Sequence, residues 1–176
     1  MSKDIFACIR ERRSIRKFKP DSISRAEVIR LLEAACMAPS AANLQPWLFF
    51  VVENKEIKEK LKEAARGQNS LVEAPVVIVV CAEAARIRDR FGSRGTELFM
   101  LQDTAAAVQN FLLAATALGF GTCWVGAFNE EKVASLLGID AKEKRPVAII
   151  PLGYPAISPP EAPARRPVAD VALFVE

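Results

Sequence analysis

A charge-free apolar run constrains the fold of this chain more than any other segment. Residues 75–81 read Pro-Val-Val-Ile-Val-Val-Cys. β-Branched side chains fit the pleated surface of a sheet, and a strand that is apolar at every position is typical of one buried on both faces. The run therefore predicts the central strand of a sheet.

Further strands and several helices surround this run. Apolar runs predict strands over Trp47–Val52 and 145–153, with short extended chain over 122–128. Ser24 and Glu27 form a capping box that predicts a helix ending before Pro39. Other helices are predicted over 4–12, 55–65, 97–118 and Glu130–Leu137, whereas residues 82–94 are ambiguous.

The C-terminal part of the chain is rich in proline. Prolines 155, 159, 160, 163 and 167 predict an extended surface arm over 154–167. The strand-like segment 170–175 follows the arm and has few local partners, so we expect it to pair with a distant sheet, such as one in another subunit.

Composition excludes several classes of function. A chain of 176 residues fits a single domain over 1–176, and a net charge of +3 gives no field that would attract nucleic acid. Four scattered cysteines without a Cys-x-x-Cys pair, and the lack of a leader or membrane span, predict a cytoplasmic protein. Because the chain has no histidine, Ser-His-Asp triads and His-rich metal sites are excluded, and difficult chemistry would need an organic cofactor.

A basic segment follows the first predicted helix. It reads Arg12-Arg13-Ser14-Ile15-Arg16, and guanidinium and hydroxyl groups of this kind can bind a phosphate. In an extended chain, Arg16 and Ser14 point to the same side. A solvated surface is the alternative interpretation, and it also applies to Arg165 and Arg166 near the end of the chain.

Three polar side chains lie in a loop between two prolines. Ser40, Asn43 and Gln45 could hydrogen-bond a polar heterocycle, or they could make turn bonds to the backbone. For Ser40 alone the turn is favoured. Trp47 is expected to lie in the core rather than to stack on a ligand.

A glycine-containing segment over 119–126 reads Gly-Phe-Gly-Thr-Cys-Trp-Val-Gly. It does not match the dinucleotide fingerprint, because its glycines follow a helix and lack the required spacing. Close backbone approach to a flat ligand at Gly126 is the functional interpretation, and an ordinary helix stop is the alternative.

Four parts of the chain, taken in order, resemble the nitroreductase family of flavoenzymes. They are the basic segment, the loop between the two prolines, the glycine-containing segment and the Arg165-Arg166 pair. The resemblance extends over nearly the whole chain. The resemblance implies an α+β fold with a central, mainly antiparallel sheet flanked by helices. It also implies a homodimer that binds FMN at the subunit interface, with each C-terminal arm (155–176) extending onto the partner subunit.

The resemblance also assigns roles to residues. One FMN would be held at its phosphate, ribityl and pyrimidine side by the basic segment, with further phosphate contacts from the arm; these residues are Arg12, Arg13, Ser14, Arg16, Arg165 and Arg166. Many members have histidine where Arg13 stands. The FMN of the other subunit would be reached by Ser40, Asn43 and Gln45.

Three residues would lie against the flavin ring system. The backbone amides of Trp124, Val125 and Gly126 would face its N5 and O4 edge, and Gln68 or Asn69 would bond the pyrimidine edge. Several members have a carboxylate where Val125 stands. No catalytic side chain is expected, since Arg16 and the backbone of Val125 and Gly126 would only tune the flavin.

The implied activity is an FMN-dependent oxidoreductase that takes hydride from NAD(P)H by a ping-pong mechanism. Its acceptors would be nitroaromatics, quinones or flavins. Only residues 82–96 could form a lid, which favours an open pocket and loose substrate choice. The alternatives are a flavin-binding protein without turnover, a dehalogenase or flavin-destroying member of the same superfamily, and a small domain without a cofactor.

Overall fold

In the computed structural model, which describes residues 4–175, four strands form one antiparallel sheet. They are β1 (Trp47–Val52), β2 (Val76–Glu83), β3 (Gly121–Thr122) and β4 (Lys144–Gly153). The order across the sheet is β1-β2-β4-β3, so β2 is bonded on both edges, with Phe50 opposite Val79 on one side and Ile149 opposite Val79 on the other. The prediction of a central strand is confirmed.

The side chains of β2 alternate between two cores. Val76, Ile78 and Val80 face one core, whereas Val77 and Val79 face the other. All of the residues from 76 to 82 are buried. Apolar residues at every position are therefore needed because helices cover both faces of the sheet.

Seven α-helices lie within the described part of the chain. They are α1 (Ile5–Glu11), α2 (Arg25–Cys36), α3 (Lys55–Ala64), α4 (Ser70–Glu73), α5 (Ala85–Arg94), α6 (Met100–Ala117) and α7 (Glu130–Leu137). Helices α2 and α6 supply the core on one face, and α3 and α7 supply the core on the other. Sequence patterns predicted all of these except α4 and α5.

Side-chain caps fix where several helices begin. The capping box of Ser24 and Glu27 is present at α2, and the side chains of Asn54 and Asn129 accept from backbone N–H groups at the starts of α3 and α7. Helix α7 ends at Gly138, whose φ of 65° is left-handed. These boundaries were readable from sequence because each depends on one local residue type.

The ambiguous residues 82–94 contain the end of β2 and the whole of α5. A π-helical turn over Gly95–Phe99 joins α5 to α6. Gly95 is needed here, because a Cβ would lie 2.8 Å from that of Phe91. The helix predicted over 97–118 therefore starts inside this turn.

Residues 170–175 do not form a strand within the single chain, and their pairing with another subunit stays a prediction. Val168–Asp170 forms a 3-10 turn, and residues 171–175 are irregular. Leu173, Phe174 and Val175 are each at least 90% exposed. A strand needs a partner edge, and no strand of the described chain reaches this segment.

None of the described helices is both long enough and apolar enough to span a bilayer. Cys8, Cys81 and Cys123 are buried, and Cys36 is exposed. Trp47 also lies in the core, as predicted.

Lys58 joins α3 to the start of β2. Its buried ammonium group donates to the carbonyl oxygen of Ala74 at 2.8 Å and to that of Pro75 at 3.3 Å. Burial lowers the pKa of this amine from its usual value. The two bonds satisfy carbonyl groups at the end of α4, where the helix itself offers no donor.

We predict that Lys58→Met lowers the free energy of unfolding by about 1–3 kcal/mol, because it leaves these carbonyl groups without a donor. Urea unfolding of the purified protein measures this. Lys60→Met, on the exposed side of the same helix, is the matched control and should change stability by less than about 0.5 kcal/mol. Equal effects of the two variants would contradict the role given to Lys58.

Candidate functional site

The basic segment 12–16 leaves α1 as extended chain and lies beside β3. The N–H of Ile15 donates to the carbonyl oxygen of Thr122 at 2.8 Å, and Ser14 forms a parallel bridge with Thr122. Three residues on, Phe18 forms an antiparallel bridge with Pro155. The segment is thus held between the end of α6 and the root of the arm.

Gly121 makes this close approach possible. A Cβ at position 121 would lie 2.8 Å from Cγ2 of Ile15. Any side chain there would push the basic segment away from β3. The glycine-containing segment and the basic segment are therefore parts of one site, although more than 100 residues separate them.

Burial differs along the basic segment. Ile15 faces the core, while Ser14 is half-buried and Arg16 is exposed. Neither Arg12 nor Arg16 forms an ion pair with an acidic residue of the described chain. A groove of about 240 Å³ runs past Ser14 and Arg16 and is closed on its other side by Ile157, Ser158 and Pro160. The hydroxyl group of Ser14 and the guanidinium group of Arg16 therefore remain available to a ligand in this groove.

Arg13 has a different environment from its neighbours. Its Nη1 donates to the carbonyl oxygens of Arg10 at 2.6 Å and Arg12 at 2.9 Å. Its Nε donates to the carbonyl oxygen of Pro160 at 3.2 Å. Arg13 therefore ties the arm to the basic segment through Nε, while Nη1 bonds carbonyl groups next to it in the chain.

The two arginines of the arm are not brought to the basic segment within one chain. Arg165 and Arg166 lie in exposed irregular chain. Arg166 donates through Nη2 to the carbonyl oxygen of Asp170 at 2.7 Å. Their proposed phosphate contacts would require the arm to reach another subunit.

The loop 40–45 is tightly turned. The hydroxyl oxygen of Ser40 accepts from the N–H of Gln45 at 3.0 Å, which confirms the turn interpretation for Ser40. Nε2 of Gln45 donates to the carbonyl oxygen of Asn43 at 3.3 Å. The side chains of Asn43 and Gln45 are exposed, so both can reach a group outside their own chain.

Sequence reasoning missed the side chain that holds this loop. The N–H of Ala41 donates to both carboxylate oxygens of Asp103, at 3.2 and 3.1 Å. Asp103 lies at the start of α6, 62 residues away. A buried acid inside an apolar helix was the available signal.

The loop 40–45 and the basic segment lie at opposite ends of α6. The loop is bonded to Asp103 near the helix start, and the basic segment is bonded to Thr122 just beyond the helix end at Ala117. At 1.5 Å per residue, the part of α6 from Asp103 to its end at Ala117 is about 20 Å long, and this length separates the two segments along the helix. One chain does not bring both sets of side chains to a single ring system.

Two backbone donors of the segment 124–126, the N–H groups of Trp124 and Gly126, have no hydrogen-bond partner among residues 4–175. Val125 exchanges two hydrogen bonds with Ile149, its N–H donating at 2.9 Å, so the prediction that this amide faces a ligand is wrong. Gly126 is exposed, and its N–H has no partner among residues 4–175. Trp124 is 40% exposed beside it.

Gln68 and Asn69 follow a sharp turn. Arg66 and Gly67 both have positive φ, at 56° and 79°. Gln68 is half-buried and Asn69 is exposed at the start of α4. Neither side chain forms a hydrogen bond with another residue of the range 4–175.

Thiol and metal chemistry have no support within residues 4–175. Burial raises the pKa of Cys81 to about 12, so this thiol stays protonated at neutral pH. No cluster of three or more potential metal ligands occurs in that part of the chain. The polar groups gathered here can bind a ligand, and they include no imidazole.

The structure combines an α+β fold with a basic segment bonded to Thr122 and an exposed backbone amide at Gly126. The family model described as "Nitroreductase family" matches residues 9–74 and 66–154. The chain belongs to the nitroreductase family.

Individual proteins show the same relationship. A Thermus thermophilus protein named NADH dehydrogenase is 34% identical over 176 residues, which covers 83% of this chain and 84% of that protein. A Desulfovibrio desulfuricans protein solved in complex with FMN is 31% identical, with a TM-score of 0.85 and coverage of 100% of this chain and 99% of that one. A Bacillus subtilis protein named FMN reductase [NAD(P)H] is 28% identical over 166 residues, covering 87% of this chain and 66% of that protein.

We predict that Gly121→Ala destabilises the protein by about 1–3 kcal/mol, because its methyl group would overlap Ile15. Gly126→Ala is the matched control from the same segment. Its Cβ would meet nothing closer than Nε1 of Trp124 at 3.9 Å, so its stability should match that of the parent protein. Chemical unfolding curves of both variants check this, and equal midpoints would contradict the packing argument.

Proposed function

We propose that this protein is an FMN-dependent oxidoreductase that takes hydride from NAD(P)H and passes electrons to a second substrate by a ping-pong mechanism. The observation that carries the proposal is that the segment with Arg12, Ser14 and Arg16 is bonded to Thr122, four residues before the free amide of Gly126. The Thermus thermophilus and Bacillus subtilis relatives, by their names, support an NAD(P)H-dependent redox activity. The complex of the Desulfovibrio desulfuricans protein supports FMN as the cofactor.

The groups present fit a flavin mononucleotide. Two guanidinium groups without acidic partners and a half-buried hydroxyl suit a phosphate and a polyol chain. An exposed amide at Gly126 suits the edge of a heterocycle, and the lack of a side chain there leaves open space for a flat ring. The donor set thus matches the charge and polarity of both ends of the cofactor.

FMN, when bound, supplies the two-electron chemistry that this histidine-free chain lacks. Arg16 would place positive charge beside the pyrimidine ring and stabilise negative charge that develops there. The N–H of Gly126 would donate to the N5 and O4 edge. Arg13 would act indirectly by holding the arm against the groove.

The site would be completed by a second copy of the chain. Because the loop 40–45 and the basic segment lie about 20 Å apart along α6, Ser40, Asn43 and Gln45 would reach the FMN held by the partner's basic segment. An exposed apolar face supports such a dimer. Its residues are Ile5, Phe6, Ile9 and Met37, beside a groove that also involves Leu113 and Ala117.

The acceptor would be a nitroaromatic, a quinone or a free flavin. Helix α5 and the π-helical turn occupy the region available for a lid, and they pack against Ala41 and Leu44 of the loop. A lid built from so few residues leaves the groove open. Loose acceptor choice follows from this openness.

We predict that anaerobic addition of NADH or NADPH to the FMN-bound protein bleaches the visible flavin absorption. Subsequent addition of a quinone or a nitroaromatic should restore it without a second dose of nicotinamide. Parallel double-reciprocal plots would accompany a ping-pong mechanism. A yellow protein that neither nucleotide bleaches would instead be a flavin-binding protein without turnover.

We also predict that two defective variants complement each other in a mixed dimer. Arg12→Ala and Asn43→Ala each remove a contact to FMN and should weaken its binding about tenfold or more. If each site draws on both subunits, a mixed dimer carries one site with both changes and one with neither. Co-expression with two different affinity tags isolates the mixed dimer, and its FMN content is read from the visible absorption.

The control pairs two changes from the same segment. A mixed dimer of Arg12→Ala with Ser14→Ala has a defect in each site, so it should bind no more FMN than its parents. Recovery in this control, or none in the first pair, would contradict the division of the site between subunits.

A further inference from the structure

Asp103 is a buried carboxylate that the proposed chemistry does not use. Its side chain lies in the first turn of α6, and the residue is 8% exposed. No lysine or arginine of the described chain forms an ion pair with it. Burial raises the pKa of the Asp103 carboxyl, and the hydrogen bond from Ala41 offsets part of this rise. A buried charge without a counter-ion destabilises the folded state, so its retention needs a reason.

The loop bonded to Asp103 is itself unfavourable. Ala42, Asn43 and Gln45 have φ values of 49°, 56° and 51°, all in the left-handed region. Residues other than glycine adopt this conformation at a free-energy cost, and such strain persists only where the surroundings hold it. Arg66 is the one other non-glycine residue with positive φ among those described.

The contact between them is a charge-assisted hydrogen bond. Both oxygens of Asp103 lie within 3.2 Å of the N–H of Ala41, and bonds to a charged acceptor are about twice as strong as neutral ones. The contact lies directly before the three strained residues. The side chains of Asn43 and Gln45 project from this part of the loop into solvent.

We propose that Asp103 is a positioning residue, which holds the loop 40–45 in the strained conformation that presents Asn43 and Gln45 to the FMN of the partner subunit. This inference rests on the proposed function of the loop. The buried charge of Asp103 then has a purpose, because it holds the strained backbone of the loop 40–45.

The test uses Asp103→Leu, Asp103→Asn and Thr104→Val in the full-length chain. Leucine removes the acceptor and the charge, whereas asparagine keeps one neutral acceptor. Thr104 is the matched control, since it is also buried on the same helix, but its hydroxyl donates to the carbonyl oxygen of Met100 and makes no bond to the loop.

Asp103→Leu should change the affinity for FMN without lowering the stability of the FMN-free protein. We expect Asp103→Leu to bind FMN roughly 10- to 100-fold more weakly, the effect of losing a hydrogen bond to a charged group. Its unfolding midpoint without FMN should not fall, because the change removes the cost of a buried unpaired charge, and the N–H of Ala41 lies in a half-buried loop where water can replace the lost acceptor. Asp103→Asn should recover part of the affinity, and Thr104→Val should bind FMN as the parent protein does.

Amide hydrogen exchange of the FMN-free protein tests the loop directly. Exchange over residues 41–45 should be faster in Asp103→Leu than in Thr104→Val. Unchanged exchange, or FMN affinity within twofold of the parent, would overturn the positioning role. So would a loss of affinity that merely follows a fall in the unfolding midpoint.

The two proposals fail separately. A parent protein that does not bind FMN would remove the proposed function, while hydrogen exchange would still decide whether Asp103 holds the loop.

Discussion

Burial of β2 on both faces and both edges is the constraint on which the rest of the structure depends. Its alternating side chains fill two cores, and these fix α2 and α6 on one side and α3 and α7 on the other. Because α6 is packed along the sheet, the elements at its two ends are fixed relative to each other. The loop 40–45 and the basic segment inherit their separation from this helix.

Two close backbone contacts convert that scaffold into a site. The pairing of Ile15 with Thr122, made possible by Gly121, sets the basic segment beside the glycine-containing one. The pairing of Val125 with Ile149 uses one amide and leaves the next, at Gly126, without a partner. The backbone positions of the basic segment and of Gly126 are therefore set by hydrogen bonds within the chain.

Much of the fold was predictable because its signals are local. The apolar run of β2, the capping box at Ser24 and the stop at Gly138 each depend on a few neighbouring residues. The segment 170–175 forms no strand within the single chain because a strand depends on a partner edge, which sequence pattern does not reveal. The π-helical turn was missed because its geometry depends on packing between Gly95 and Phe91.

The candidate site was only partly predictable for the same reason. Residue types identified the basic segment. Sequence did not show that Val125 and Arg13 form hydrogen bonds within their own chain, because their partners Ile149 and Pro160 are distant in sequence. Asp103 escaped prediction because its partner is a backbone N–H 62 residues away. Sequence resemblance names residues at a site, whereas only the fold shows which of their atoms are free.

The bond from Arg13 to Pro160 has a consequence for assembly. An untethered arm of this length would sample many conformations and would lose that freedom on docking. Arg13 fixes the root of the arm at Pro160, so only the residues beyond it remain to be ordered. In the proposed dimer, the arm would therefore leave its own subunit in a preset direction, and this would lower the entropy lost on association.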